Sequence, residues 1–190
     1  MRRIVVTEFV TVDGVFEDPG GSEGTKQGGW NFKFFGEEDV KFKAEELFPA
    51  GALLLGRVTY QGFADAWPDR SDELGFADKM NSLPKYVVSN TLELADWEHS
   101  TIIRGDIAGQ IRKLKEGSGG DILVYGSARL VHFLLAEGLI DQLDLMVQPI
   151  VVGEGKKLFP DGTATTTMKL VKTRVHNTGN VVLTYEPQKD

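Results

Sequence analysis

Three short segments join an apolar run to residues that can hold an anion. They are Leu53-Leu54-Leu55-Gly56-Arg57-Val58-Thr59, Val87-Val88-Ser89-Asn90-Thr91 and Leu123-Val124-Tyr125-Gly126-Ser127-Ala128. In each, a stretch that reads as a buried strand runs straight into glycine or small polar residues and then a helix or turn. A helix N-terminus offers unpaired N–H groups and the positive end of the helix dipole, so it binds phosphate. Glycine lets phosphate approach the backbone closely, and Arg57 adds a permanent cation with forked donors. Ser89, Asn90 and Thr91 supply further donors. In a parallel sheet the strand carboxyl ends share one edge, and ligands bind along it. One elongated ligand with several phosphates, such as a dinucleotide, satisfies all three segments. Singly, each is also what any α/β sheet carries at its strand ends.

Other chemistries find less support. No Gly-x-Gly-x-x-Gly is present, so the usual dinucleotide fingerprint is absent. Gly51 and Gly56 have phosphate-loop spacing, but the residues between them are an apolar strand and no Lys-Ser/Thr follows. Gly20-Gly21-Ser22-Glu23-Gly24 matches a nucleophile elbow, which requires a strand before it and a helix after it. Glu17-Asp18-Pro19 precedes instead, and more glycine follows. His99, His132 and His176 are scattered without metal-ligand spacing, and no metal site is expected. The chain has no cysteine, which excludes disulfides, iron–sulfur clusters and thiolate zinc.

The elements that must position these residues follow from periodicity. Residues 3–12 read as a strand ended by Asp13-Gly14, and residues 17–31 as a glycine-rich loop closed by Trp30 that is either a lid or a plain surface loop. Val40, Ala44, Leu47 and Phe48 give a helix over 37–48, stopped by Pro49. Ala52–Leu55 is a strand, a helix starts at Arg57, and residues 73–81 form a short helix. Residues 85–89 and 101–103 are strands, and Ile107, Ile111 and Leu114 mark a helix. Ile122–Tyr125 is a strand. The helix opened by Gly126-Ser127 carries Leu130, Phe133 and Leu134 and ends at Gly138. Residues 140–152 read as a long strand interrupted by Pro149. Residues 168–176 and 180–185 form a hairpin across Asn177-Thr178-Gly179. Repeated strand–helix–strand units imply parallel strands covered on both faces. The expected fold is therefore a single three-layer α/β/α domain spanning residues 1–190, its mixed, mostly parallel sheet ending in an antiparallel C-terminal hairpin.

A length of 190 residues and 41% hydrophobic content suit such a domain. No apolar run reaches the roughly 18 residues needed to span a bilayer, and Thr7 and Glu8, with Asp13-Gly14 beyond, break the run that follows Met1-Arg2-Arg3 and favour a strand over a leader. The expectation is a cytoplasmic protein without a membrane partner. A net charge of −7 argues against nucleic-acid binding.

The order of motifs resembles the dihydrofolate-reductase superfamily. The motifs are Thr11-Val12-Asp13-Gly14, then Gly56-Arg57-x-Thr59-Tyr60, Ser89-Asn90-Thr91, Tyr125-Gly126-Ser127 and Val152-Gly153-Glu154-Gly155 with Leu158-Phe159. Within it, the chain resembles the C-terminal reductase domain of the bifunctional riboflavin-biosynthesis deaminase–reductase, in the form of stand-alone members. The resemblance implies a dihydrofolate-reductase-like fold, NADPH as hydride donor, a small-molecule substrate and a homodimer, for which the strands near the C-terminus offer a surface. By position, Gly56, Arg57 and Thr59 would hold cofactor phosphates. Ser89, Asn90 and Thr91 would lie by the adenosine phosphate, with Arg104 on the same side. Gly126, Ser127 and Ala128 would cradle the pyrophosphate. Val15 stands where riboflavin reductases carry a basic residue. The acids Glu37, Glu38, Asp39, Glu45 and Glu46 lie near the place of a folate reductase's pterin-binding acid, outside its usual sequence context, and read first as a solvated helix face. The cysteine-dependent deaminase half is absent.

The resulting expectation is an NADPH-dependent reductase of a small heterocyclic or sugar-bearing substrate, similar to 5-amino-6-(5-phosphoribosylamino)uracil reductase. Asp13 and Glu154 are the candidate catalytic groups beside the substrate, Asp13 reading equally as a turn cap and Glu154 as a turn residue, with the 17–31 loop a candidate cover and Trp67-Pro68 a candidate wall. The alternatives are a dihydrofolate- or pterin-reductase-like activity, an NADPH-binding protein without turnover and, at Ser22, a serine hydrolase.

Overall fold

The computed structural model describes residues 1–188; Lys189 and Asp190, included in the expected 1–190 domain, lie outside the described residues. Eight strands form one mixed sheet in the order β4-β3-β2-β5-β1-β6-β8-β7. They are β1 (Ile4–Thr11), β2 (Ala52–Gly56), β3 (Lys85–Val88), β4 (Ser100–Ile103), β5 (Ile122–Tyr125), β6 (Gln142–Gln148), β7 (Met168–Val175) and β8 (Val181–Pro187). The helices are α1 (Glu37–Leu47), α2 (Arg57–Ala66), α3 (Phe76–Ser82), α4 (Ile107–Glu116) and α5 (Ala128–Ala136). No helix among the described residues is long and apolar enough to cross a membrane.

The chain divides into two compact units, with β1 and α1 running through both. The first comprises Met1–Val6 and Lys43–Ile140. Here β2, β3, β4 and β5 are parallel, β2 lying between β3 and β5. All five residues of β2 are buried, as expected of a central strand covered on both faces. Leu53, Leu55 and Leu123 pack with Leu47, Tyr60, Val87 and Trp97. The Tyr60 hydroxyl accepts the Trp97 N–H at 3.0 Å, fixing the loop after β3 to α2. Lys85 is fully buried: its ammonium donates to the Glu98 carbonyl and lies 4.2 Å from the centre of the Trp97 ring. Burial lowers its pKa to about 8, against a raising influence from Glu98.

The second unit comprises Thr7–Phe42 and Asp141–Asp190. Its β6, β8 and β7 are antiparallel, and Phe42, Met146 and Val182 form its core with Phe9 against them. Gly179 (φ +87°) makes the β7–β8 turn, a backbone region that side chains disfavour. Asp39, fully buried in α1, is bound to this hairpin. It accepts hydrogen bonds from His176 Nδ1 (2.7 Å), Asn180 Nδ2 (2.9 Å), Thr178 Oγ1 (3.1 Å) and the Gly36 N–H (2.8 Å). Burial pushes its carboxyl pKa up, but the donors, Asn180 and His176 foremost, outweigh this and hold it low.

Two expected elements shift for local reasons. The strand expected over 140–152 stops at Gln148, because Pro149 has no N–H to give the ladder and Ile150 N–H turns back to the Gln148 carbonyl. The helix expected at 73–81 starts at Phe76, where the Asp72 carboxylate accepts the Phe76 and Ala77 N–H groups after left-handed Gly75. The 17–31 loop is folded around buried Asp18, which accepts from Glu23 N–H, Thr25 N–H and Thr25 Oγ1. Trp30 is 1% exposed and donates to the Glu17 carbonyl, so it is a packing residue of the loop's own base.

Candidate functional site

In the first unit the chain passes from β2 through α2 outward to β3 and β4, then returns to place β5 on the other side of β2. The strand order therefore reverses between β2 and β5. The crevice outside the carboxyl ends at such a reversal is where open α/β sheets bind ligands. Both strands lead at that edge into helices whose N-caps, Gly56 and Ser127, make no side-chain capping bond. The contrast with α4 is informative: there Asp106 caps the helix by accepting the Gly109 N–H. At α2 and α5 the first amides are left to a ligand or solvent.

The two turns are built against each other. A Cβ added at Gly56 would lie 2.7 Å from Ser127 Cβ, and one at Gly126 would lie 2.7 Å from Thr59 Oγ1. Gly126 (φ +62°) and Ser127 (φ +66°) are both left-handed. That conformation is costly for serine and is retained where surrounding structure enforces it, often at functional sites. Gly56, Thr59, Gly126, Ser127 and Ala128 thus come together as one cradle. Arg57 opens α2, exposed, with Nη1 donating to Gln61 Oε1 at 2.9 Å.

The third segment follows β3. The Ser89 hydroxyl accepts the Thr91 and Leu92 N–H groups at 3.1 and 2.9 Å, so it shapes its own turn, while Asn90 and Thr91 are exposed. Arg104, after β4, donates to the Leu92 carbonyl, which ties it to this same turn. Asn90, Thr91 and Arg104 present a polar, cationic end beyond the cradle.

Asp13 and Glu154 belong to the second unit. Asp13 accepts from Thr11 Oγ1 (2.6 Å), Gly153 N–H (2.8 Å) and Val152 N–H (3.3 Å). The Thr11 bond foremost, with the amides, holds its pKa below the usual carboxylate value, so Asp13 is an ionised staple between two loops. The staple extends through Phe16 N–H to the Lys156 carbonyl and through the Glu17–Lys156 ion pair. Val15 is buried against Gly155 and lines the cavity beside Glu154. Glu154 is exposed, 3.3 Å from Gln27 Nε2 and 3.6 Å from Lys26 Nζ. It lines a cavity of about 230 Å³ with Glu17, Thr25, Gln27 and Trp30. That is below the roughly 300–1,000 Å³ of small-molecule sites, too small for a dinucleotide. Ser22 lies among turns and lacks the strand–turn–helix setting of a hydrolase nucleophile. Among the described residues no three His, Asp or Glu side chains gather as a metal site.

Sequence reasoning missed two sets of residues. Asp39 read as part of a solvated acidic helix face, and nothing local announces its partners 137–141 positions away. Lys43 and Glu46, their side chains largely buried, pair beside half-buried Tyr125. Lys43 Nζ is 2.9 Å from Glu46 Oε2 and 5.7 Å from the centre of the Tyr125 ring. An Ile-Leu-Val-Tyr strand signals only burial.

The model of the RibD C-terminal domain family matches residues 2–183. The uncharacterized protein YyaP of Bacillus subtilis (strain 168) is 31% identical over 187 residues, covering 97% of this chain and 94% of its own. A crystal structure of a Shewanella sp. PV-4 protein ascribed to riboflavin biosynthesis is similar with a TM-score of 0.77 at 19% identity, covering 98% of this chain and 99% of that one. The Thermotoga maritima diaminohydroxyphosphoribosylaminopyrimidine deaminase/5-amino-6-(5-phosphoribosylamino)uracil reductase is similar with a TM-score of 0.66 at 16% identity; 98% of this chain matches 57% of that longer one. A dihydrofolate reductase from Enterococcus faecalis, complexed with NADP(H), is similar over 98% of this chain and 97% of its own, with a TM-score of 0.59 at 16% identity. The expected dihydrofolate-reductase-like fold is thereby found.

Proposed function

Because the chain belongs to the RibD C-terminal domain family, we propose that it is an NADPH-dependent reductase of a small heterocyclic or sugar-bearing substrate. The observation that carries this reading is the pair of uncapped helix N-termini at the β2–β5 reversal, packed so closely that a Cβ at Gly56 or Gly126 would collide with the neighbouring turn. Such a cradle suits a pyrophosphate held by backbone amides. Gly56, Arg57, Thr59, Gly126, Ser127 and Ala128 would hold it. Asn90, Thr91 and Arg104 would meet the phosphate at the adenosine end, with Ser89 shaping their turn. When bound, NADPH supplies a hydride to an electrophilic carbon of the substrate. The protein's part is to align the reactants and exclude water.

Asp13, ionised and holding three donors, serves as a positioning residue. Glu154, exposed beside Gln27 and Lys26, is the carboxylate proposed to meet substrate. The family match across 2–183 supports reading the two units as one domain, placed in the cytoplasm. The exposed Leu170, Val171 and Val175 on edge strand β7 support a homodimer through the C-terminal strands.

One observation favours a second reading. With Asp13 committed as an acceptor and Asp39 enclosed by four donors, neither acid is placed to deliver a proton, as in an NADPH-binding protein without turnover. Following NADPH oxidation by nicotinamide absorbance, with a panel of pterins, pyrimidines and carbonyl compounds, separates the two. Turnover of any member supports the reductase, and none across the panel favours the binding protein.

A further inference from the structure

In the second unit, residues directly opposite one another on β6, β8 and β7 project to the same face of the sheet. Val147, Val181 and Val175 make one such row across the three strands, and Leu143, Tyr185 and Leu170 make another. Leu183 and Thr173 pair in the row between them. β8 is an interior strand, yet none of its residues on this face is buried. On its other face Val182 is 1% exposed, packed with Phe42 and Met146. Val175 and Leu170 are 73% and 49% exposed. The chain thus leaves most of this apolar face uncovered.

No charge stands on the face, and a bulge is the reason. The cations of β7 are Lys169, Lys172 and Arg174, which stand opposite Glu186, Thr184 and Val182, on the side of Phe42. Strict alternation along a strand would put residues 170, 172 and 174 on one face. Lys172 and Arg174 would then stand beside Leu170. The register shift between Leu170 and Lys172 inserts Val171 as an extra residue. It turns both cations to the Phe42 side and brings Thr173 and Val175 to the apolar side. Bulges break pairing and re-aim side chains in this way. The charges of β6 and β8, Asp144 and Glu186, also lie on the Phe42 side.

Seven or eight residues on each strand make a patch roughly 25 Å long and 14 Å wide. Two copies of a chain with net charge −7 repel one another, least so where they meet on an uncharged surface. A nearly all-apolar patch has the composition of a homodimer interface, whereas transient partners meet through more polar surfaces. The β7 edge, with its bulge and lysines, carries features that discourage strand addition. We propose that a second copy of this chain packs face to face on this surface, the two β6–β8–β7 sheets stacking about 10 Å apart around a two-fold axis. This rests on the homodimer reading above and specifies it: the contact lies on the sheet face, not along the β7 edge.

The chain has no cysteine, so a single introduced thiol reports on one face. Thr173→Cys lies on the apolar face and Lys172→Cys on the opposite one, and both positions are exposed. Each variant is reacted with a polar maleimide above and below the concentration at which light scattering shows wild type dissociating. Expected is a wild-type mass of two chains. Thr173→Cys should react about ten-fold slower where about a tenth of the chains are monomeric, with Lys172→Cys reacting equally fast at both concentrations. Leu170→Glu combined with Val175→Glu should weaken the dimer about a hundred-fold or more, because like charges then face each other. Lys169→Glu, on the other face, should leave it within about two-fold. Circular dichroism checks folding, and the labelling pair decides the matter if the double variant does not fold. A dimer in which Thr173→Cys reacts as fast as Lys172→Cys overturns the face contact and leaves the homodimer reading standing. A wild-type mass of one chain at every concentration overturns both. Neither measurement uses NADPH, so the reductase reading stands or falls separately.

Discussion

Gly56→Ala adds one methyl group where β2 becomes α2. The Gly56 backbone is ordinary for any residue (φ −78°, ψ 161°), so the cost is steric alone. The new Cβ would lie 2.7 Å from Ser127 Cβ. Rotating the serine hydroxyl moves Oγ but not Cβ, so the two turns must move apart by several tenths of an ångström. Overpacking of this kind costs about 1–3 kcal/mol. The expected outcome is a loss of about 2 kcal/mol in urea unfolding at unchanged slope. Because the displaced turn carries the first amides of α5, a fall in NADPH affinity of about ten-fold or more should accompany it. Gly62→Ala is the internal control: it lies in the same helix, and a Cβ there meets nothing within 4 Å. Helix propensity makes that change neutral or stabilising by up to about 1 kcal/mol. Should Gly56→Ala behave like Gly62→Ala in both unfolding and NADPH titration, the close apposition of the β2 and β5 turns would not be a feature of the protein.

Further perturbations act on other parts of the fold. Asp39→Ala removes the acceptor of four hydrogen bonds and should cost about 3–5 kcal/mol in chemical unfolding, with a loss below about 1 kcal/mol contradicting the network. Because the folded Asp39 pKa lies below its ordinary value of 3.8, its contribution is present above that pH and is lost as pH falls through the folded value; Asp39→Asn should flatten this acid limb of a stability–pH curve. Lys85 has the opposite sense. Its folded pKa of about 8, against 10.5 when unfolded, means the unfolded chain binds more protons between those values. Wild-type stability should therefore rise as pH climbs from about 8 to 10.5, and Lys85→Met should abolish that rise; a rise of the same size in the variant would exclude Lys85 as its source. Asp18→Ala should release the 17–31 loop, seen as faster proteolysis near Glu23–Thr25, where its hydrogen bonds end; an unchanged cleavage rate would mean the loop does not depend on Asp18.

The legible part of the fold was what depends on neighbours in sequence. Apolar runs such as Ala52–Leu55 and Ile122–Tyr125, helical stripes such as Ile107, Ile111 and Leu114, and the Asn177-Thr178-Gly179 turn carry their signal within a few residues. The cradle was legible for the same reason, since Gly56-Arg57 and Gly126-Ser127 each sit directly after a strand. Long-range polar pairing left no such trace. Asp39 lies in an acidic run that a helix would expose, and only the hairpin beginning at Met168 buries it. Asp13 read equally as a turn cap and as a catalytic acid, and the distinction depends on the amides of Val152 and Gly153, far along the chain. The glycine-rich composition of 17–31 suggested mobility, yet Asp18 and Trp30 supply an internal core that composition does not reveal.

The most direct measurement is titration of the purified protein with NADPH and NADH, following tryptophan quenching and nicotinamide emission. Saturable NADPH binding, tighter than NADH and weakened by Arg57→Ala or Arg104→Ala, is the expected result, with the arginines responsible for the preference. Binding of neither nucleotide would contradict the proposal that the β2–β5 cradle is a dinucleotide site, and with it the reductase function.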